Sequence, residues 1–189
     1  MIKIIKQAII IAIIGIILGV FINLINPDGV AFKEKPQVID STGVYDLRNF
    51  RNDPYDTTGA KKPSLFGHRE KNRQGFYDPA QISAELAKQF FDINALFVDG
   101  RPEADFKAGH IKGAINIPYE EFVKLTNEQK VELTKKYNKD GIIVTYCSGG
   151  SCDVSIDIAY ELGRLGFTGV NIYKGGYSEW ESKGYPVEK

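Results

Sequence analysis

The residues best suited to chemistry stand together in "VTYCSGGSCDVS", Val144 to Ser155, which holds both cysteines of the chain, Cys147 and Cys152. The β-branched run "GIIVTYC" leads into the first cysteine, and a helical pattern, "SIDIAYELGRLGF", follows the second. Cys147 is therefore expected at the carboxyl end of a buried strand. The residues after it are small, so the backbone N–H groups from Ser148 through Gly149, Gly150, Ser151, Cys152 and Asp153 to Val154 can turn inward and form a nest for an anion. A helix expected to begin around Asp153 to Ser155 directs its positive dipole end to the same point. A free cysteine ionises near pH ~8.5, and nest and dipole both favour the thiolate, so the pattern points to nucleophilic sulfur at Cys147. The competing reading is an inert Cys147 that serves as one more small apolar residue.

The elements that must position this loop alternate regularly from Asp78 onward. "PAQISAELAKQFF" has helical spacing through Ile82, Leu86 and Phe90, with Asp78 or Ser83 near its start. "ALFVDGR" reads as a short buried strand, "EADFKAGH" as a short helix, "AINIP" as a strand and "NEQKVELTKKY" as a helix closed by "NKDG". "GIIVTYC" has the unmixed apolar character of a strand covered on both faces, and Ile156, Ile158, Ala159, Leu162 and Leu165 give the next helix its buried stripe. "VNIYKGG" is a last strand and "YSEWESKGYP" a terminal helix and turn. Strands separated by helices imply an α/β fold with a parallel central sheet flanked by helices. In such sheets ligands gather outside the carboxyl ends of the strands, where Cys147 falls.

The N-terminal part differs in character. Between Gln7 and Ile25 the sequence carries no charge, and that length of helix spans about the thickness of a bilayer's hydrocarbon core. Lys3 and Lys6 precede it, which by the positive-inside rule holds the N-terminus in the cytoplasm and sends the rest across. The length of the run and the lack of an A-x-A-like exit site favour an uncleaved anchor over a signal peptide. Residues 1–26 are thus expected to be a cytoplasmic start and one transmembrane helix in contact with lipid through residues 7–25. In a bacterium the remainder would face the periplasm from the inner membrane. Residues 27–79, rich in Pro, Gly, Asn and charge, read as an irregular connector with a short strand at Val44 to Leu47. The basic cluster of Lys61, Lys62, His68, Arg69, Lys71 and Arg73 suits a solvated face, with anionic head groups as the alternative. Residues 80–189 form the regular domain. The 24 basic and 24 acidic residues cancel, which argues against a nucleic-acid binder, and two cysteines are too few for a disulfide-built fold.

From about Pro79 to Lys189 the sequence resembles the rhodanese domain. The stretch "FVDGRPEADFKAGHIKGAINIP" matches its first signature through Asp99, Arg101, Glu103, Phe106, Gly109, His110, Ile111, Gly113, Ala114, Asn116 and Pro118. "VNIYKGGYSEWESKGYPV" matches its closing signature through Gly175, Gly176, Trp180, Gly184 and Pro186. The resemblance implies a sulfurtransferase or persulfide carrier. The Cys147 thiolate would take the outer sulfur of a small donor such as thiosulfate or a persulfide, hold it as a persulfide, and yield it to a thiophilic acceptor, with no cofactor and no metal. It also implies that Asp99, Arg101 and His110 mainly brace strand ends and loops.

The active loop departs from the family. Cys147 and Gly150 fit C-x-x-G-x-R-S, but Cys152 stands where a basic or hydroxyl residue is usual, and aligning Ser155 with the family's serine leaves about two additional residues. The loop has no Arg or Lys of its own, and Asp153 adds a negative charge where a dianionic donor would approach, which disfavours thiosulfate. Cys152 has three readings. It forms a disulfide that silences Cys147 until reduced, if the Cα atoms come within about 7 Å. It resolves the persulfide, releasing sulfide and leaving that disulfide. Or it only lines the loop. The rival functions are a rhodanese-fold module that binds a protein partner without catalysis, and a phosphatase or arsenate reductase of the C-x5-R type. The second is poorly served, because Asp153 stands where the arginine would hold the phosphoryl charge.

Overall fold

Strand Ile142–Tyr146 lies at the centre of the fold, and all of its residues are buried. In the computed structural model of the chain the described residues are 38–39 and 70–189. Their elements run β1 (Val38–Ile39), β2 (Ala80–Ile82), α1 (Ala84–Asp92), β3 (Leu96–Asp99), α2 (Glu103–Ala108), β4 (His110–Ile111) and β5 (Ile115–Asn116). Then follow α3 (Tyr119–Phe122), α4 (Asn127–Thr134), β6 (Ile142–Tyr146), α5 (Val154–Arg164), β7 (Gly169–Tyr173), α6 (Gly176–Ser182) and β8 (Val187–Glu188). The main sheet has the order β1-β2-β7-β6-β3-β5, and every pairing in it is parallel. Across its centre Asp99 lies opposite Tyr146, which lies opposite Tyr173.

Alternate residues of the central strands feed two cores, which is why these strands read as unbroken apolar runs. Phe97, Ile142, Val144, Tyr146 and Tyr173 pack on one face with Leu86, Phe90 and Trp180. Leu96, Val98, Ile143, Val170 and Ile172 pack on the other with Phe122, Ile158, Leu162 and Phe167. Burying each large aliphatic side chain contributes roughly 1.5–3 kcal/mol, so the two-sided burial of β6 fixes both its register and where its carboxyl end emerges.

The structure differs from the sequence reading at three points. The segment expected to be helical from Pro79 begins as a strand: Ala80 and Ile82 are buried with Gln81 between them, and β2 pairs with β7. The helix starts only at Ala84, where the Ser83 side chain accepts from the Leu86 amide. Asp78 instead accepts a hydrogen bond from Asn72 Nδ2 at 2.7 Å. A second, two-stranded sheet was not foreseen: β4 and β8 pair antiparallel, His110 facing Glu188. The stretch 27–79 also contributes to the fold, through β1 at the sheet edge and through Phe76, which is buried edge-on against Tyr160 at 6.1 Å. The expected span 7–25 and the expected strand at Val44 to Leu47 lie outside the described residues. Among the described residues no helix is long and apolar enough to cross a membrane.

Candidate active site

Chain direction places the site. From β3 the chain leaves towards β5, and from β6 it leaves towards β7, so the connections diverge and the carboxyl ends of β3 and β6 form the switch point at which such sheets place their ligands. The Gly100 amide donates to the Tyr146 carbonyl at 3.0 Å, joining the two strand ends, and Cys147 is the next residue. Its side chain is fully buried, with Sγ 3.7 Å from the Ser155 hydroxyl oxygen in the first turn of α5. Ser155 is itself buried, and its carbonyl accepts from the Thr145 hydroxyl at 2.8 Å, so the helix start is tied to β6.

The loop from Ser148 to Asp153 is held by main-chain atoms. The Tyr177 amide donates to the Cys147 carbonyl at 2.8 Å and the Ser178 amide to the Ser148 carbonyl at 3.1 Å. That close approach dictates two glycines. Gly149 has φ +105°, and a Cβ there would overlap the Gly175 carbonyl; Gly176 has φ +62°, and a Cβ there would overlap Cys147, Ser148 and Gly149 main-chain atoms. The "GG" of the closing segment and the "GG" of the loop are thus two sides of one contact. Gly150 follows at φ +66°, and the Cys152 amide returns to the Gly149 carbonyl at 3.4 Å. Cys152 is thereby brought back, 6.5 Å from Cys147 between Cα atoms, and the two cysteines are joined as a disulfide. Cys152 and Val154 are half-buried, while Ser148, Gly150, Ser151 and Asp153 are exposed.

Asp153 caps α5 with its backbone only, because its carboxylate reaches Lys174 Nζ at 3.1 Å. The pair is largely solvated and worth well under about 1 kcal/mol to stability. It matters for charge: the expectation of an unrelieved negative group in the loop is corrected, since Lys174 brings a cation from outside it. Lys174 directly follows β7, the strand beside β6, so parallel pairing of "VNIYK" with "VTYC" was the signal that could have found it.

Asp99 and Arg101 form a buried ion pair beside the loop. Arg101 donates from Nε to Oδ1 at 3.0 Å and from Nη2 to Oδ2 at 2.6 Å, and Nη2 also donates to the Gly109 carbonyl at 2.7 Å. Burial opposes the guanidinium charge, but the Asp99 carboxylate outweighs it and raises the Arg101 pKa. The guanidinium lies 4.6 Å from the Tyr177 ring centroid, and Tyr177 is the residue whose amide holds Cys147. Burial and the Asp99 charge together push the Tyr146 phenol far up, so it stays neutral, and its oxygen accepts from the Ile111 amide at 3.1 Å. His110 stacks on Phe106 at 3.8 Å, with Nδ1 3.0 Å from the Phe106 carbonyl and Nε2 3.5 Å from Glu188. These contacts place His110 at the β4–β8 ribbon, while Arg101 lies against the Tyr146 and Tyr177 rings and Asp99 beside Tyr146, the residues that lead into and hold the loop.

A parallel sheet with a cysteine at a central strand end, under a helix N-terminus, is the architecture of a small α/β domain with a nucleophile loop. The family model for the rhodanese-like domain matches residues 83–183, more than half of the chain, and the chain belongs to that family. Thiosulfate sulfurtransferase 16 of Arabidopsis thaliana is 31% identical over 115 residues, which are 58% of this chain and 93% of that protein. The HTH-type transcriptional regulator Rv0324 of Mycobacterium tuberculosis is 36% identical over 118 residues, 61% of this chain but only 47% of the relative. Among the first relatives the chain therefore spans from about half to nearly all of their length. The human single-domain sulfurtransferase TSTD1 is 27% identical, with a TM-score of 0.43 over 55% of this chain and 96% of that one. The family match and the Arabidopsis sulfurtransferase relative support a sulfur-transfer role at the level of the family.

Proposed function

We propose that the protein is a sulfurtransferase or persulfide carrier in which Cys147 holds the transferred sulfur. The observation that carries this reading is the burial of Cys147 at the end of β6, its sulfur beside the Ser155 hydroxyl in the first turn of α5. A thiolate there gains from the helix N-terminus and from a hydrogen bond that Ser155 donates, which makes it the better nucleophile at neutral pH. It attacks the outer sulfur of a small donor, a persulfide or thiosulfate, and the donor remainder leaves with the bonding electron pair. A thiophilic acceptor then removes the sulfur. Lys174 relieves the negative charge of Asp153 and so eases approach of an anionic donor. Because the disulfide occupies the Cys147 sulfur, reduction precedes uptake. The uncharged run at residues 7–25 supports a bilayer anchor that holds the domain outside the cytoplasm.

The test is mass spectrometry of the reduced full chain carrying Cys152→Ser, treated with cysteine persulfide or with thiosulfate. One added sulfur atom on Cys147, absent when Cys147→Ser is also present, is the expected result. Failure to take up sulfur from either donor would instead favour a binding module. For topology, a membrane-impermeant thiol label should reach a cysteine placed at Lys189 in intact, wall-stripped cells; labelling only after lysis reverses the orientation.

A further inference from the structure

We infer that Cys152 is the resolving thiol of this site, and that the protein reduces sulfane sulfur to hydrosulfide at the expense of an external dithiol. The inference rests on the persulfide chemistry proposed above and assigns the fate of the sulfur. Two features of the loop carry it. The first is reach: the turn through Gly149 and Gly150 brings Cys152 back to Cys147, 6.5 Å between Cα atoms, and the two sulfurs are bonded. The second is asymmetry. Cys147 is wholly buried, with Ser155 and the start of α5 at its sulfur, whereas Cys152 is half-buried and lies among exposed loop residues.

The steps follow from that arrangement. Once Cys147 carries the sulfur as Cys147–S–SH, the Cys152 thiolate attacks the inner sulfur, Sγ of Cys147. The Cys147–Cys152 disulfide forms, the bond to the outer sulfur breaks, and that atom leaves as HS⁻ with the electron pair. The two cysteine sulfurs are oxidised, and the transferred sulfur is reduced by two electrons. The disulfide of the structure is the product of this step. A thiolate of the external dithiol then attacks the accessible Cys152 sulfur and expels Cys147, whose position at Ser155 and the helix start makes it the better leaving group. The second thiol of the reductant closes its own disulfide and releases Cys152. Cys147 is thereby returned as a thiolate, ready for the next sulfur. A purely protective disulfide would share the geometry but would release no hydrosulfide.

The experiment uses the full chain, reduced, freed of reductant and mixed with a stoichiometric amount of cysteine persulfide, with hydrosulfide, free thiols and protein mass all recorded. The wild type is expected to release hydrosulfide in near-equal amount to the protein, lose both thiols and gain no mass. Cys152→Ser is expected to keep the sulfur on Cys147 and release at least ten-fold less. A wild type that retains the persulfide, or releases hydrosulfide no faster than Cys152→Ser, overturns the inference and leaves the carrier reading standing. Failure of Cys152→Ser to take up sulfur overturns both, and its uptake shows that the variant is folded. With the inference correct, an added dithiol such as dithiothreitol turns the single release into repeated turnover in the wild type.

Discussion

Gly176 and Gly184 allow the contact that holds the active loop to be weighed by itself. The two residues have nearly the same backbone, φ +62° and +68°, but a Cβ at Gly184 meets nothing within 4 Å, whereas one at Gly176 overlaps main-chain atoms of Cys147, Ser148 and Gly149. Replacing either by Ala imposes the left-handed conformation on an L-residue, at about 1–2 kcal/mol. At Gly176 the overlap adds roughly 1–3 kcal/mol, the usual cost of overfilling a packed site. It also pushes the loop off the Tyr177 and Ser178 amides, each bond contributing about 1 kcal/mol. Urea unfolding of the two variants should therefore separate them by about 2 kcal/mol or more, a midpoint difference of roughly 1 M at ordinary slopes. Sulfur uptake at Cys147 should fall in Gly176→Ala and persist in Gly184→Ala. Equal midpoints and equal uptake would refute the argument that backbone contact with α6 positions the loop.

Other expectations are as direct. Arg101→Ala strands the fully buried Asp99 carboxylate and should cost about 3–5 kcal/mol in denaturant unfolding; a loss below about 1 kcal/mol would contradict the burial of the pair. Ser155→Ala in a Cys152→Ser chain should slow iodoacetamide alkylation of Cys147 at neutral pH, because the thiolate loses its hydroxyl donor, and an unchanged rate would remove Ser155 from the site. Burial raises the pKa of the Glu161 carboxyl, but Lys130 and Arg164 outweigh it and hold the value below 4.5. Its contribution is then complete above pH 4.5 and lost as pH falls through the depressed value. Stability should decline less steeply as the pH falls below 4.5 in Glu161→Gln, and an unchanged slope would count against the pairing.

How much of this could be read from the sequence depended on how local the determining physics was. The order of strands and helices was legible because β3, β6 and β7 carry their apolar residues consecutively and α5 carries its own at helical spacing. Cys147 was legible for the same reason, as the residue where a strand meets a glycine pair. Lys174 escaped because its partner Asp153 is remote in sequence and adjacent only once β6 and β7 pair. The amides of Tyr177 and Ser178 escaped because backbone donors leave no signature in residue types. The β4–β8 ribbon joins His110 to Glu188 across the second half of the chain, and each strand is too short to show alternation. At β2 a three-residue buried pattern was absorbed into the neighbouring helical periodicity, and only the Ser83 cap marks where one ends and the other begins.

The holding of the loop by main-chain atoms has a consequence for how such a site can change. Since carbonyls of Cys147 and Ser148 grip α6, and Gly149 and Gly176 allow the approach, the exposed side chains of Ser148 and Ser151 take no part in holding the loop to the scaffold. They form an exchangeable cassette: lengthening it, or setting a thiol in it, alters what happens to the cargo without renegotiating the fold beneath.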